Sequence, residues 1–228
     1  MYLAEVEASV TEARAEERPV FPPLPSDRWE HFPHSTFSHH GKACCDVARE
    51  WVSSMDYAML NGGDLTSGPR WIRARYKWGA SPWPMHWCEV LERKVIDCGA
   101  HSALAHEAFV ARGVTAFRAQ FIQRYDDDAQ AQWRSKWGAE QVSDHWLGGE
   151  VIYHEGNAIL VGDDEVKLWD SSAGCWLNPR QVKGYGSLAA VRLFADGPDG
   201  GGQWGGGDGL RWGEQRIKPN QWHDFTAA

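Results

Sequence analysis

Ile96-Asp97-Cys98-Gly99-Ala100-His101-Ser102-Ala103-Leu104-Ala105 is the stretch on which the reading of this chain turns. Asp97 is a strong helix N-cap, because its carboxylate can accept from backbone N–H groups that a first helical turn leaves open. Ala100, Ala103, Leu104, Ala108 and Ala111 recur at helical spacing and form a small-residue face. Gly113 stands where a left-handed residue closes a helix. The spacing thus predicts a helix that opens at Cys98 and ends at Gly113. A thiol in that first turn lies among open N–H groups at the positive end of the helix dipole, which favours the nucleophilic thiolate. A cysteine can equally be a plain small core residue, so the chemistry depends on a base and an orienting acid elsewhere.

Downstream of Gly113 the hydrophobic period changes from about 3.6 to about 2. Phe117, Ala119, Phe121 and Tyr125 alternate with Arg118, Gln120, Ile122 and Arg124, as a strand does. Asp126-Asp127-Asp128 reads as a turn, followed by a polar excursion from Ala129 to Gly148. Glu150–Tyr153 and Ala158–Val161 read as separate strands, Asp163-Asp164 as a turn, and Val166–Asp170 as the returning half of a hairpin. Leu188–Phe194 supplies one more strand. His154 stands at the entry to the Ala158–Val161 strand and Asp170 ends its partner. A two-residue turn sets Asp170 opposite Asn157 and turns His154 to the wrong face. A three-residue turn, or a bulge at Gly156, restores a shared face.

Upstream, Leu3, Val6, Val10 and Ala13 mark an amphipathic helix, and a Pro-rich stretch around Val20 to Pro25 follows. His31, His34, His39 and His40 fall between Trp29 and His40 with no regular frame to unite them as metal ligands. Ala43–Leu60 reads as a helix stopped by Asn61-Gly62-Gly63, Ser67-Gly68-Pro69 as a turn, and Cys88–Arg93 as a short helix leading to the cysteine stretch. From Gly197 the chain is Gly-rich, with Trp204 and Trp212 able to pin a loop to the body.

The 228 residues suffice for one full core. A net charge of −8 argues against a nucleic-acid partner, and the basic run Arg70 to Lys77, broken by Trp71 and Tyr76, reads as a solvated face. The 14 tryptophans can line a cleft or fasten loops. The five cysteines form no framework and no C-x-x-C pair, which points to a reducing compartment and no structural zinc. No secretory h-region is read in Met1–Arg18, and no run is long enough for a membrane span, so a cytoplasmic protein without cofactor or metal is expected.

These features resemble the transglutaminase-like branch of the papain-like superfamily. Its pattern sets a small residue four positions after the Cys, a Leu six after and a Gly fifteen after, matched here by Cys98, Ser102, Leu104 and Gly113. The family's His and Asp lie on neighbouring strands, which carries their roles onto His154 and Asp170. Two motifs differ: Glu155-Gly156-Asn157 follows the His where Ala-Trp is usual, and Ser171-Ser172 follows the Asp where Pro-Thr is usual. His145, followed by Trp146, is a rival base. Asn157 is another rival position, since Asn157 to Gly162 is similar to the His strand of bacterial cell-wall endopeptidases.

The resemblance implies an α+β fold with a papain-like, transglutaminase-like core, its nucleophile helix packed on an antiparallel sheet. The organisation expected is a helical extension over 1–60, a catalytic core over 61–195 and a Gly/Trp-rich tail over 196–228 docked on the core. The function implied is acyl transfer through a Cys98–His154–Asp170 triad. Its partners would be a peptide or small-molecule amide or thioester, with water or an amine as acceptor. A catalytically inactive papain-like binding module is the alternative. An arylamine acetyltransferase relative ranks lower, because that family's Arg-Gly-Gly before the cysteine is absent.

Overall fold

The computed structural model describes residues 63–79, 92–137, 147–148, 151–179, 188–194 and 207–226. The expectations for the N-terminal helices, the His-rich tract, most of the Cys88–Arg93 segment and His145 lie outside these residues.

Helix α1 spans Ser67–Arg75 and runs into β1, Lys77–Trp78, which pairs in parallel with β2, Val95–Ile96. β2 leads directly to α2, Cys98–Ala111. β3 (Ala116–Arg124), α3 (Asp127–Trp137), β4 (Leu147–Gly148), β5 (Val151–Leu160), β6 (Val166–Asp170), β7 (Cys175–Trp176) and β8 (Leu188–Phe194) follow. The chain closes with β9 (Leu210–Trp212), β10 (Gln215–Ile217) and β11 (Trp222–Asp224). One seven-stranded sheet holds the order β11-β8-β3-β5-β6-β7, with β4 on β5, and its pairings are antiparallel. The fold is therefore α+β.

Alternation along β3 sorts its side chains between the two sheet faces. Phe117, Ala119 and Phe121 join Ala158, Leu168, Val191 and Leu193 in one core, covered by Leu210 and Trp212 of β9, Ile217 of β10 and Phe225, which follows β11. On the other face Ala116, Ile159 and Trp169 pack against Ala105 and Phe109 of α2. Trp169 and Phe109 are fully buried, and burial of such a ring contributes on the order of 2–3 kcal/mol. α2 is buried nearly all round, between the sheet and α1.

Four local readings change. Ser67-Gly68-Pro69 is the first turn of α1, where a proline's missing N–H costs no hydrogen bond. Asp126 caps α3, its Oδ1 accepting from the N–H of Ala129 at 2.7 Å. Glu150–Tyr153 and Ala158–Val161 are parts of a single strand, β5, because Gly156 does not break it. A Cβ at Gly156 would fall 2.3 Å from the Trp169 carbonyl oxygen and 2.4 Å from the Phe121 ring, so this glycine permits a close approach. Finally, the tail is more than a docked loop: β11 pairs with β8 and extends the main sheet.

Candidate active site

The start of α2 is built as its sequence requires. Asp97 is buried, and its Oδ1 accepts from the N–H of Ala100 at 2.8 Å while its carbonyl accepts from His101 at 3.0 Å. Cys98 and Gly99 N–H are the first-turn donors this cap does not use. Gly113 closes the helix at φ +72°.

α2 is bolted to β5 by side chains. Ser102 Oγ donates to the Gly156 carbonyl at 2.6 Å, and Asn157 Nδ2 donates to the Ser102 carbonyl at 3.0 Å. Ser171 Oγ donates to Asn157 Oδ1 at 2.5 Å, tying the same joint to the end of β6. Asn157 is thus a structural lock, and Ser171, one of the departures from the family pattern, is its partner.

The hairpin register brings the imidazole and carboxylate together. Val161 N–H bonds the Glu165 carbonyl at 2.8 Å, leaving a three-residue loop, Gly162-Asp163-Asp164. His154 Nε2 then lies 2.9 Å from Asp170 Oδ1. A carboxylate can only accept, so Nε2 carries the proton and Nδ1 is left to take another. Asp170 Oδ1 also accepts from Ser172 N–H at 3.0 Å and Ala173 N–H at 2.9 Å, which fixes the carboxylate in a turn closed by Gly174 at φ +75°. Burial alone would lower the His154 pKa, but the charge and hydrogen bond of Asp170, helped by Glu155, outweigh it and raise the group. Burial likewise pushes Asp170 up, yet His154 and the two N–H donors hold it below the usual carboxylate range.

The thiol stands differently. Among the described residues Cys98 makes no hydrogen bond to His154; the backbone N–H of Glu155, the next residue of β5, reaches the sulfur. Burial, with the charges of Asp97, Glu155 and Asp170, pushes the thiol well above its ordinary pKa, against the help of that N–H. Desolvation therefore overrides the helix-start effect that sequence suggested, and the resting thiol is neutral. His145 lies outside the described residues.

Two further buried side chains bear on the site. Glu155 is buried, its Oε2 held by Arg118 at 2.8 Å and its Oε1 by the Tyr153 hydroxyl at 2.5 Å, with Gln120 Nε2 donating to that hydroxyl at 2.8 Å. The signal was the cross-strand pairing of the polar half of β3 with odd positions of β5. His101, one turn into α2, is buried and among the described residues has no hydrogen-bond partner on either ring nitrogen, and burial takes its pKa down to about 4.

A cleft of about 930 Å³ opens over the pair, lined by Arg73, Lys77, Trp78, Tyr125, His154 and Asp170 among others. Val95, also on its wall, belongs to the strand that enters Asp97 and Cys98. Among the described residues no group of three His, Cys, Asp or Glu side chains is arranged to hold a metal ion, and no helix is long and apolar enough to cross a membrane. Comparison with protein-family models, with curated proteins and with solved structures finds no match to the chain.

Proposed function

We propose that the chain is a cysteine-dependent acyl-transfer enzyme on a papain-like, transglutaminase-like core, with Cys98 as nucleophile, His154 as base and Asp170 as its orienting acid. The observation that carries this reading is the His154–Asp170 hydrogen bond of 2.9 Å in the cleft, with the N–H of Glu155, the next residue of β5, reaching the thiol that opens α2. Nδ1 of His154 accepts the Cys98 proton as the sulfur bonds to an amide or thioester carbon, and the carbonyl electrons pass to oxygen. The N–H groups of Cys98 and Gly99 are the donors available to that oxyanion. Collapse breaks the bond to the leaving amine or thiol, which takes the proton from imidazolium and leaves a thioester on Cys98. Water or an amine then attacks, His154 takes its proton, and the acyl group departs as the thiol is restored.

The raised thiol supports general-base activation over a preformed ion pair: the proton leaves sulfur as attack occurs. Alkylation of free Cys98 by iodoacetamide should therefore climb with pH and show no plateau below about pH 9. His154→Ala should abolish trapping of a thioester adduct on Cys98 by intact-mass measurement. Adduct formation at an undiminished rate in His154→Ala overturns the assignment of the base.

The bond from Glu155 N–H to the thiol specifically favours a second reading, a papain-like shell that binds without turnover. It requires Cys98→Ala to keep full biological function, whereas the enzymatic reading requires its loss.

A further inference from the structure

We propose that the substrate of this site carries an anionic group, a carboxylate or a phosphoryl group, near the acyl carbon, and that Arg73 and Lys77 hold it. The inference rests on the acyl-transfer reading and adds the charge of the substrate to it.

The basic run Arg70 to Lys77 reads from sequence as a solvated face, and Arg70, Arg73, Arg75 and Lys77 are all exposed, but their surroundings differ. Arg70 lies 3.7 Å from Asp64 and over the Trp169 ring at 5.9 Å, and Arg75 lies over Trp71 at 5.7 Å and Tyr76 at 5.9 Å. Arg73 and Lys77 instead line the cleft together with His154. Arg73 is aimed by the turn that fixes Asp170: its Nε donates to the Ser172 carbonyl at 3.3 Å. Its stem lies along Gly174, where a Cβ would stand 3.6 Å from Arg73 Cδ. Among the described residues its two terminal nitrogens have no hydrogen-bond partner, which leaves them for a bidentate grip on an oxyanion, the geometry for which guanidinium is suited.

Lys77 is set on the opposite support. Its N–H bonds the Lys94 carbonyl at 2.8 Å, and Gly79 N–H bonds the Ile96 carbonyl at 3.0 Å. β1 is thereby fixed to the strand that delivers Cys98. Asp170 is the carboxylate among the described cleft residues, and its Oδ1 is engaged by His154 Nε2 at 2.9 Å and by the N–H groups of Ser172 and Ala173. Neither Arg73 nor Lys77 has an ion-pair partner among the described residues. In a chain of net charge −8, two uncompensated cations beside the base concentrate anions at this cleft.

The test uses the full chain and two alkylating reagents of nearly equal size, anionic iodoacetate and neutral iodoacetamide. Rates at Cys98 are read by peptide mass mapping, and each is divided by the same reagent's rate with glutathione at the same pH. The normalised preference for iodoacetate should be roughly fivefold or more at low salt and should shrink toward one at roughly 0.5 M salt. It should fall several-fold in Arg73→Gln and again in Arg73→Gln/Lys77→Gln. Inorganic phosphate or glutarate should slow the iodoacetate reaction, the stronger competitor naming the anion as phosphoryl or carboxylate. A normalised ratio of one in the unaltered protein, or protection by neither anion, overturns the inference while leaving acyl transfer intact. A Cys98 that neither reagent modifies overturns both.

Discussion

Asn157 of β5 stands opposite Trp169 of β6, and that single pairing places His154 and Asp170 on one face. Asp170 then falls opposite Gly156, two residues from His154, and the absent side chain of Gly156 leaves the strands free to close. The pair is set by the register of the hairpin. The thiol enters through a separate joint, the Ser102–Asn157–Ser171 chain of hydrogen bonds. The candidate site is thus two devices brought to one strand.

The first prediction concerns the charge state of the pair. With Asp170 removed, burial of His154 loses its main counterweight, so Asp170→Asn should lower the His154 pKa from above 6.5 toward or below it. Stability follows the same signs. The raised His154 contributes fully below pH 6.5 and loses its contribution as pH rises through its folded value. The lowered Asp170 contributes above pH 3.8 and loses its contribution as pH falls through its folded value. The cost of Asp170→Asn should therefore be largest between those limits and smaller at alkaline pH. Imidazole NMR titration and urea unfolding read both effects; a cost of the substitution that grows at alkaline pH contradicts the ion pair.

His101 provides a pH prediction of opposite sign. Its folded pKa is about 4 against an ordinary 6.5, so the unfolded chain binds the extra proton first as pH falls. Stability should drop between those values by on the order of 3 kcal/mol from this group. Neither ring nitrogen has a partner among the described residues, so His101→Leu should sacrifice no hydrogen bond. The variant should match the natural protein within about 1 kcal/mol near pH 7 and exceed it near pH 4.5. Parallel unfolding curves at the two pH values would show that the imidazole finds solvent or a partner.

How far the chain could be read in advance depended on the range of each signal. Asp97, Cys98 and Gly113 were legible because capping and helix closure are decided within a few residues. The His154–Asp170 pairing could be narrowed only to alternatives, since the turn length depends on the Val161–Glu165 bond, which no residue type dictates. Gly156 offered two meanings, a bulge or a close approach, and the ring and carbonyl that choose between them come from other strands. Arg118 and Gln120 occupy the polar half of an alternating strand, but alternation does not say that this half will be covered and joined to Glu155 and Tyr153. The thiol's local setting pointed to a lowered pKa, and tertiary burial reversed it. β9, β10 and β11 are three residues each, too short for periodicity to show among the glycines.

Gly156→Ala tests the register directly. The new methyl would stand 2.3 Å from a backbone oxygen and 2.4 Å from the Phe121 ring, and the backbone atom cannot swing aside. The strands must part or slip, at a cost of about 2–3 kcal/mol by overpacking. Because His154 and Asp170 depend on this approach, the His154 pKa should fall in the same variant. A tolerated alanine, with stability and titration unchanged, would mean that β5 and β6 lie farther apart than described.

The end of the chain supports the sheet face opposite α2. Phe225 is 6% exposed, its ring centroid lies 5.4 Å from that of Trp212, and its N–H bonds the Ala189 carbonyl at 2.9 Å. Leu210, Trp212 and Ile217 complete the cover over Phe117, Phe121 and Leu168. Phe225→Ala should therefore cost about 3–4 kcal/mol, the range for emptying a buried aromatic site. Truncation after residue 206 should abolish cooperative unfolding, because it bares both the core face and the edge of β8 that β11 pairs with. Thermal melts followed by circular dichroism decide the matter. A loss below about 1 kcal/mol for Phe225→Ala is what a loosely docked loop would produce, and it would return these strands to the status of an appendage.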